Sequence, residues 1–174
     1  MGKLEYFVLN RPPMWYNFFM RDNSWLSERL NEIWSTRFAD IPKSNDIAII
    51  FGSNAATRLG SIKKNRLEDS LTKITITGFF KDERVPEIII DLTIAHEICH
   101  YAHGFSSPLP RLFNNPHQGG VVDKELKIRG FSAELIFQKR WLKENWLQIT
   151  GRRTRRRKRS RPRTLRGILR FFTG

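Results

Sequence analysis

The spacing of hydrophobic residues predicts a helix near the start of the chain. A stripe of apolar side chains at helical spacing lies within residues 15–38: Leu26, Leu30, Ile33 and Trp34. One of three polar residues just before this stripe, Asp22, Asn23 or Ser24, is expected to cap its stronger half. Pro42 closes the segment.

Short runs rich in β-branched residues follow, and they predict strands. They span residues 46–51, 71–79 and 87–91, and a short edge strand or turn is expected around Gly60. Asp91 is then expected to cap a helix from about Leu92 to His103, which Gly104 ends. Residues 105–120 form a polar loop, and residues 121–146 are helical in pattern with a break at Gly130. The predicted fold is a small α+β domain with a three- to four-stranded sheet.

The charge of the chain is concentrated at its C-terminal end. The net charge is +14 over 174 residues, and 11 basic residues follow Gly151, so 14 − 11 leaves +3 for the rest. The densest part of this run consists of Arg152, Arg153, Arg155, Arg156, Arg157, Lys158 and Arg159. We therefore divide the chain into a domain of residues 1–150 and an Arg-rich tail of residues 151–174, which is expected to be disordered because like charges repel.

A tail of this kind is typical of a polyanion-binding protein, and nucleic acid is the expected partner because arginine binds phosphate well. A solvated tail is the second alternative. An anionic membrane surface is the third, since Leu165, Ile168 and Phe171 follow the charges. DNA and RNA are not distinguished by these residues.

Cysteine content and hydropathy bear on the compartment. Cys99 is the only cysteine, so no internal disulfide can form. The first 20 residues lack a clean signal-peptide core, and no apolar run approaches the ~20 residues that span a bilayer. We expect a soluble intracellular protein, cytoplasmic or nucleoid-associated.

The motif that carries chemistry is His96-Glu97-Ile98-Cys99-His100. Two histidines four residues apart lie on one helix face and can present their imidazoles to one ion. A catalytic zinc needs three protein ligands and an open position for water, and a carboxylate beside the ion can accept the proton of that water. His96 and His100 are therefore candidate zinc ligands, and Glu97 is the candidate general base.

The third ligand is sought outside this motif. His103 is one turn too far along the helix, and the metzincin pattern is excluded because the chain has His103 and Ser106 where that pattern has Gly and His. His117 is the preferred candidate, since it ends a flexible loop before two glycines. Glu125 and Glu134, on the following helix, remain alternatives.

From about Trp25 to Phe131 the chain resembles the SprT-like (Spartan-type) zinc metallopeptidases. The resemblance rests on HEICH, a later His followed by glycines before a helix, a leading helix, and short strands around Gly60 and Thr77. It implies a zincin-like fold, zinc on His96, His100 and His117, and a catalytic Glu97. It also implies action on proteins attached to DNA. The cysteine zinc ribbon common in that family is absent, because Cys99 is the only cysteine.

The leading hypothesis is a zinc endopeptidase that hydrolyses peptide bonds, with a protein or peptide substrate. The alternative is a non-catalytic nucleic-acid-binding protein with a structural zinc site, and a membrane-surface peptidase is a third hypothesis. Glu97 separates the first two, because a structural zinc site has no need of a carboxylate there.

Overall fold

The structure, a computed structural model, describes residues 21–65 and 70–151. Four helices are present in this part of the chain: α1 (Asn23–Arg37), α2 (Glu87–Ala102), α3 (Val121–Ile128) and α4 (Ser132–Thr150). Three strands accompany them: β1 (Asp46–Phe51), β2 (Gly60–Lys64) and β3 (Leu71–Ile76). The helices and the small sheet confirm the predicted α+β class.

The sheet is mixed, with strand order β1-β3-β2. β1 runs parallel to β3, and β2 runs antiparallel to β3 as an edge strand. Apolar side chains on one face of the sheet are buried against α1 and α2: Ile49, Phe51, Ile74 and Ile76. The edge strand β2 begins at Gly60, which lies directly against α2. This packing places β2 beside the HEICH motif.

Helix α2 is the centre of the domain, and its start differs from the prediction. The strand expected at residues 87–91 is wrong, because these residues form the first turns of α2. Ile89 and Ile90 are fully buried there, so the apolar run belongs to a helix surrounded by protein on most sides. Glu87, which directly follows the N-cap residue Pro86, is the local signal of this start, since acidic residues favour the first helical turn.

Asp91 is therefore inside α2, and the prediction that it caps the helix is wrong. Its carboxylate instead accepts hydrogen bonds from Nε and Nη2 of Arg29, which joins α2 to α1. Burial raises the pKa of Asp91, and the Arg29 guanidinium opposes that rise. The pair fixes the central helix against the leading helix.

The other element boundaries follow the prediction more closely. Asp22 caps α1 by accepting a 2.8 Å hydrogen bond from the Trp25 amide, and the earlier part of the predicted helix lies outside the described residues. The third strand ends at Ile76 rather than at Phe79. Thr77 there caps a short 3₁₀ turn (Gly78–Lys81), so a polar side chain within the predicted run ends the strand.

The last helical region is interrupted where the sequence predicts. Gly130 has a φ of +85°, and the chain turns there from α3 into α4. α4 runs on to Thr150, and Trp146 anchors it by donating a 2.8 Å hydrogen bond to the Ala56 carbonyl. The basic residues Arg152–Arg159 lie outside the described residues. Within the described ranges, no helix combines the length and the apolar character that crossing a membrane requires.

Candidate metal centre

Three histidines converge beside α2. His96 and His100 are one turn apart on this helix, and their ring centroids are 4.8 Å apart. The ring of His117 approaches from the loop before α3, 5.3 Å from the ring of His96 and 4.7 Å from that of His100. The structure thus brings together the three histidines that the sequence suggests as ligands.

The path of the loop explains how His117 returns to the helix. Gly104 ends α2 with a φ of +78°, and a Cβ there would lie 2.3 Å from the Pro110 carbonyl oxygen. Only glycine fits this combination of backbone conformation and close approach. The loop then runs back over the end of α2, where the Leu112 amide donates a 3.1 Å hydrogen bond to the His103 carbonyl. His117 follows next to Gln118, whose side chain accepts from the Asn114 amide.

The donor set fits a tetrahedral metal ion. One nitrogen from each imidazole lies within 4.8 Å of the other two. Zn–N bonds of about 2.0–2.1 Å place tetrahedral ligands about 3.3 Å apart, so side-chain movements of about 1 Å would close the set around an ion. The three histidines differ in exposure: His100 is buried, His96 is intermediate and His117 is exposed. The ion would therefore face solvent on the His117 side.

The protonation state of the two helical histidines also suits a ligand role. Burial, followed by the charge of the neighbouring His117, lowers the pKa of His96 to about 4. Burial and the neighbouring histidines lower the pKa of His100 to about 3. Both rings are neutral at pH 7, which is the form that binds metals.

One buried nitrogen in this cluster has no structural partner. Nδ1 of His100 is buried and makes no hydrogen bond within the described part of the chain. Buried polar groups are nearly always satisfied, so this ring is not held for structural hydrogen bonding on that side. His103 also has an unpartnered Nδ1, but its ring is outside the cluster and packs edge-on against Phe113 at 4.9 Å.

Glu97 lies between the histidines in sequence and next to the edge strand in space. Its side chain is 5% exposed, and a Cβ at Gly60 would lie 2.5 Å from its Oε1. Burial raises the pKa of Glu97 to about 7, and the positive charge of Arg58 opposes that rise. A carboxyl group with this pKa can both accept and release a proton near neutral pH, which general acid–base catalysis requires.

The two alternative carboxylate ligands lie outside the histidine cluster. Oε1 of Glu125 accepts a 2.7 Å hydrogen bond from Nε of Arg129. Glu134 lines a separate cavity between α1, α2 and the start of α4, beside Arg29 and Arg37. Neither residue belongs to the cluster that contains His96, His100 and His117.

Two neighbours within the motif region have structural surroundings. Cys99 is fully buried, and burial raises the pKa of its thiol, so it is an unreactive core residue. Tyr101 is also buried, and its hydroxyl donates a 2.8 Å hydrogen bond to Asn45 and accepts one from the Ser44 amide. These bonds hold α2 to the segment before β1, so the phenol of Tyr101 has a structural role.

The contact between Gly60 and Glu97 has no local signal in the sequence. It arises because the edge strand packs against α2, and a glycine at the start of a predicted strand suggests only a bulge or a close backbone approach. Arg58 is likewise near Glu97 only because the loop before β2 is folded onto the same side of the domain. No family model, curated protein or solved structure matches this chain, so these comparisons give no independent support for the resemblance to the SprT-like family.

Proposed function

We propose that the chain is a zinc-dependent metallopeptidase of the SprT-like type, which hydrolyses peptide bonds. The observation that carries this proposal is the convergence of three imidazole ligand atoms within 4.8 Å, with the buried Glu97 lining the same cavity as His96. The structure holds the two helical histidines on a rigid central helix and brings the third in from a separate loop. The proposed ligands are His96, His100 and His117.

The number of ligands favours a catalytic over a structural site. Structural zinc sites are closed by four protein ligands, whereas catalytic sites have three and keep one position for water or substrate. In the part of the chain that the structure describes, the cluster consists of three histidines. His117 is exposed, so the remaining position faces a side that solvent and a substrate can reach.

Glu97 is the proposed general base and acid. A bound zinc ion supplies Lewis-acid activation of a water molecule and of the substrate carbonyl. Glu97 accepts a proton from the attacking water through its carboxylate and later delivers it to the nitrogen of the leaving amine. The low polarity around its buried side chain strengthens its interaction with charges that develop during the reaction.

The basic tail supports a proposal about where the enzyme acts. Eleven basic residues follow Gly151, and no acidic residue lies among them. We propose that residues 152–174 bind nucleic acid and bring the peptidase to proteins bound there. Oligonucleotide affinity should fall steeply with salt in the full chain and be largely lost when these residues are deleted, as measured by fluorescence anisotropy. Unchanged affinity after the deletion would refute this part of the proposal.

The direct test is Glu97→Gln, with Glu144→Gln as its control. Glu144 is an exposed residue of α4, so the control removes one carboxylate charge far from the histidines. Glu97→Gln should retain zinc and lose at least about 10²-fold in cleavage of unfolded casein, because general acid–base catalysis contributes about 10²–10⁴-fold. Glu144→Gln should match the wild type in both measurements. A Glu97→Gln protein that cleaves as fast as the wild type would refute the assignment.

A further inference from the structure

A cavity adjoins the metal centre on its α4 side. It has a volume of about 280 Å³ and reaches from the edge strand to helices α3 and α4. His96 and Glu97 form part of its lining, so the cavity opens at the residues proposed to carry out hydrolysis. We call it the α4 pocket. Its volume is below the range of about 300–1,000 Å³ for small-molecule sites, which suits one amino-acid side chain.

The walls of the α4 pocket combine aliphatic and polar side chains. Leucines from four different segments form the aliphatic part: Leu59, Leu92, Leu126 and Leu135. The last three are nearly or fully buried, so the packing of α2, α3 and α4 fixes their positions. A substrate side chain entering here would exchange water for hydrocarbon contacts on several sides.

The charges around the α4 pocket cancel one another. Apart from Glu97, the charged residues among the described lining are Asp123 of α3 and Lys139 of α4. Nζ of Lys139 and Oδ2 of Asp123 form an ion pair at 3.1 Å. The pocket therefore presents no unpaired charge to an entering side chain, apart from the proposed catalytic carboxylate.

Two polar side chains that line the α4 pocket, Thr93 and Gln138, take part in hydrogen bonds. Nε2 of Gln138 donates hydrogen bonds of 3.4 Å to the Ile89 carbonyl and to Oγ1 of Thr93. The Thr93 hydroxyl in turn donates to the same carbonyl. This network joins α4 to α2 behind the cavity and leaves an uncharged inner wall.

We propose that the α4 pocket selects an uncharged apolar side chain, of the size of leucine, methionine or phenylalanine, next to the scissile peptide bond. This inference rests on the proposed peptidase function and names its substrate preference. A polypeptide bound across His96 and Glu97 would place one side chain into the pocket. Aspartate or lysine at that position would lose hydration without gaining a partner, because Asp123 and Lys139 already pair with each other.

The first test measures binding without turnover. Short blocked Ala/Gly peptides with a central residue X are titrated calorimetrically into zinc-loaded Glu97→Gln protein. Peptides with X = Leu should bind about tenfold or more tightly than those with X = Ala, since burying the extra carbons is favourable. Peptides with X = Asp or Lys should bind no better than X = Ala. Equal affinity for Leu and Ala peptides would overturn the inference.

The second test fills the pocket, with a matched control one residue away. Leu135→Trp puts extra bulk into the lining, whereas Ile136→Trp adds the same side chain at a position that is 64% exposed and outside the pocket. In the Glu97→Gln background, Leu135→Trp should reduce the Leu/Ala ratio to below about twofold and leave binding of the Ala peptide unchanged. Ile136→Trp should leave the ratio as it was. An unaltered ratio in both variants would overturn the inference.

The third test changes the charge and does not disturb the core. Asp123→Asn leaves Lys139 unpaired at the partly exposed ion pair. Peptides with X = Glu should then bind about threefold more tightly than to the parent protein. No gain for X = Glu, in a variant with full zinc content and native circular dichroism, would count against the pocket.

The outcomes separate this inference from the proposed function. Wild-type protein that cleaves peptides without preference for X would refute the α4 pocket and leave the peptidase proposal standing. The Leu preference in binding, combined with no cleavage by the wild type, would support the pocket and refute the peptidase.

Discussion

A methyl group added at Gly60 would press directly on the side chain of Glu97. The Cβ of an alanine at this position would lie 2.5 Å from Oε1 of Glu97, 3.1 Å from its Cγ and 2.9 Å from Cγ2 of Thr93. Comfortable non-bonded contacts begin at about 3.5 Å, so the carboxylate must move by about 1 Å. The φ of Gly60 is not in the left-handed region, and alanine is therefore tolerated by the backbone itself.

This displacement predicts a catalytic defect without loss of metal. A catalytic group misplaced by about 1 Å can cost about 10²-fold in rate, and we expect a fall of that size in the turnover of Gly60→Ala. The three atoms nearest to the added methyl group belong to Glu97 and Thr93 and not to a histidine, so zinc content should be unchanged. Stability should fall by no more than about 2–3 kcal/mol, because about 1–3 kcal/mol of overpacking is partly offset by a gain of about 0.4–1 kcal/mol from a stiffer unfolded chain.

The assay combines casein cleavage, zinc content by mass spectrometry and urea unfolding. Ser61→Ala is the control, because the next residue of the strand points to the opposite face of the sheet. Full turnover in a correctly folded Gly60→Ala protein would refute the reasoning. It would mean that catalysis does not depend on the carboxylate position beside β2.

Two further variants test how the site is held. Arg29→Ala leaves the half-buried Asp91 without its partner and should cost about 1–3 kcal/mol at pH 7. Burial already raises the pKa of Asp91, so the loss of stability should shrink as the pH falls through that pKa and the carboxyl group becomes neutral. Urea unfolding of the variant and the wild type at pH 7 and pH 4.5 measures this loss. A variant as stable as the wild type at pH 7 would contradict the prediction. Gly104→Ala should weaken zinc binding at least tenfold in chelator competition, because the Cβ would overlap the Pro110 carbonyl and shift the loop that carries His117. Gly151→Ala, with a φ of +62° and no atom within 4 Å of the added Cβ, is its control, and equal zinc affinity in both variants would contradict the prediction.

Local geometry explains why part of the candidate site follows from the sequence. His96 and His100 face the same direction in any helix, because four residues make about one turn. The cap at Asp22 and the break at Gly130 also depend on single residues and their immediate neighbours. Such features are determined within a few residues and do not require knowledge of the tertiary packing.

Other features depend on packing between distant segments. The run at residues 87–91 is equally apolar in a buried strand and in a buried helix, and its position under α1 and the sheet decides for the helix. Asp91 has the residue type of a cap but pairs with Arg29, which is far away in sequence. The α4 pocket and the contact between Gly60 and Glu97 both arise where three or four segments meet. No spacing pattern in the sequence predicts either feature.

X-ray absorption at the zinc edge of the purified full-length chain tests the central claim most directly. We expect one zinc per chain, with four nitrogen or oxygen ligands at about 2.0–2.1 Å, three of which also show the outer scattering of an imidazole ring. His117→Ala should lose one of the three imidazole contributions and bind zinc more weakly. A protein that binds no zinc, or a zinc that retains all its imidazole ligands in His117→Ala, would contradict the proposed metal centre.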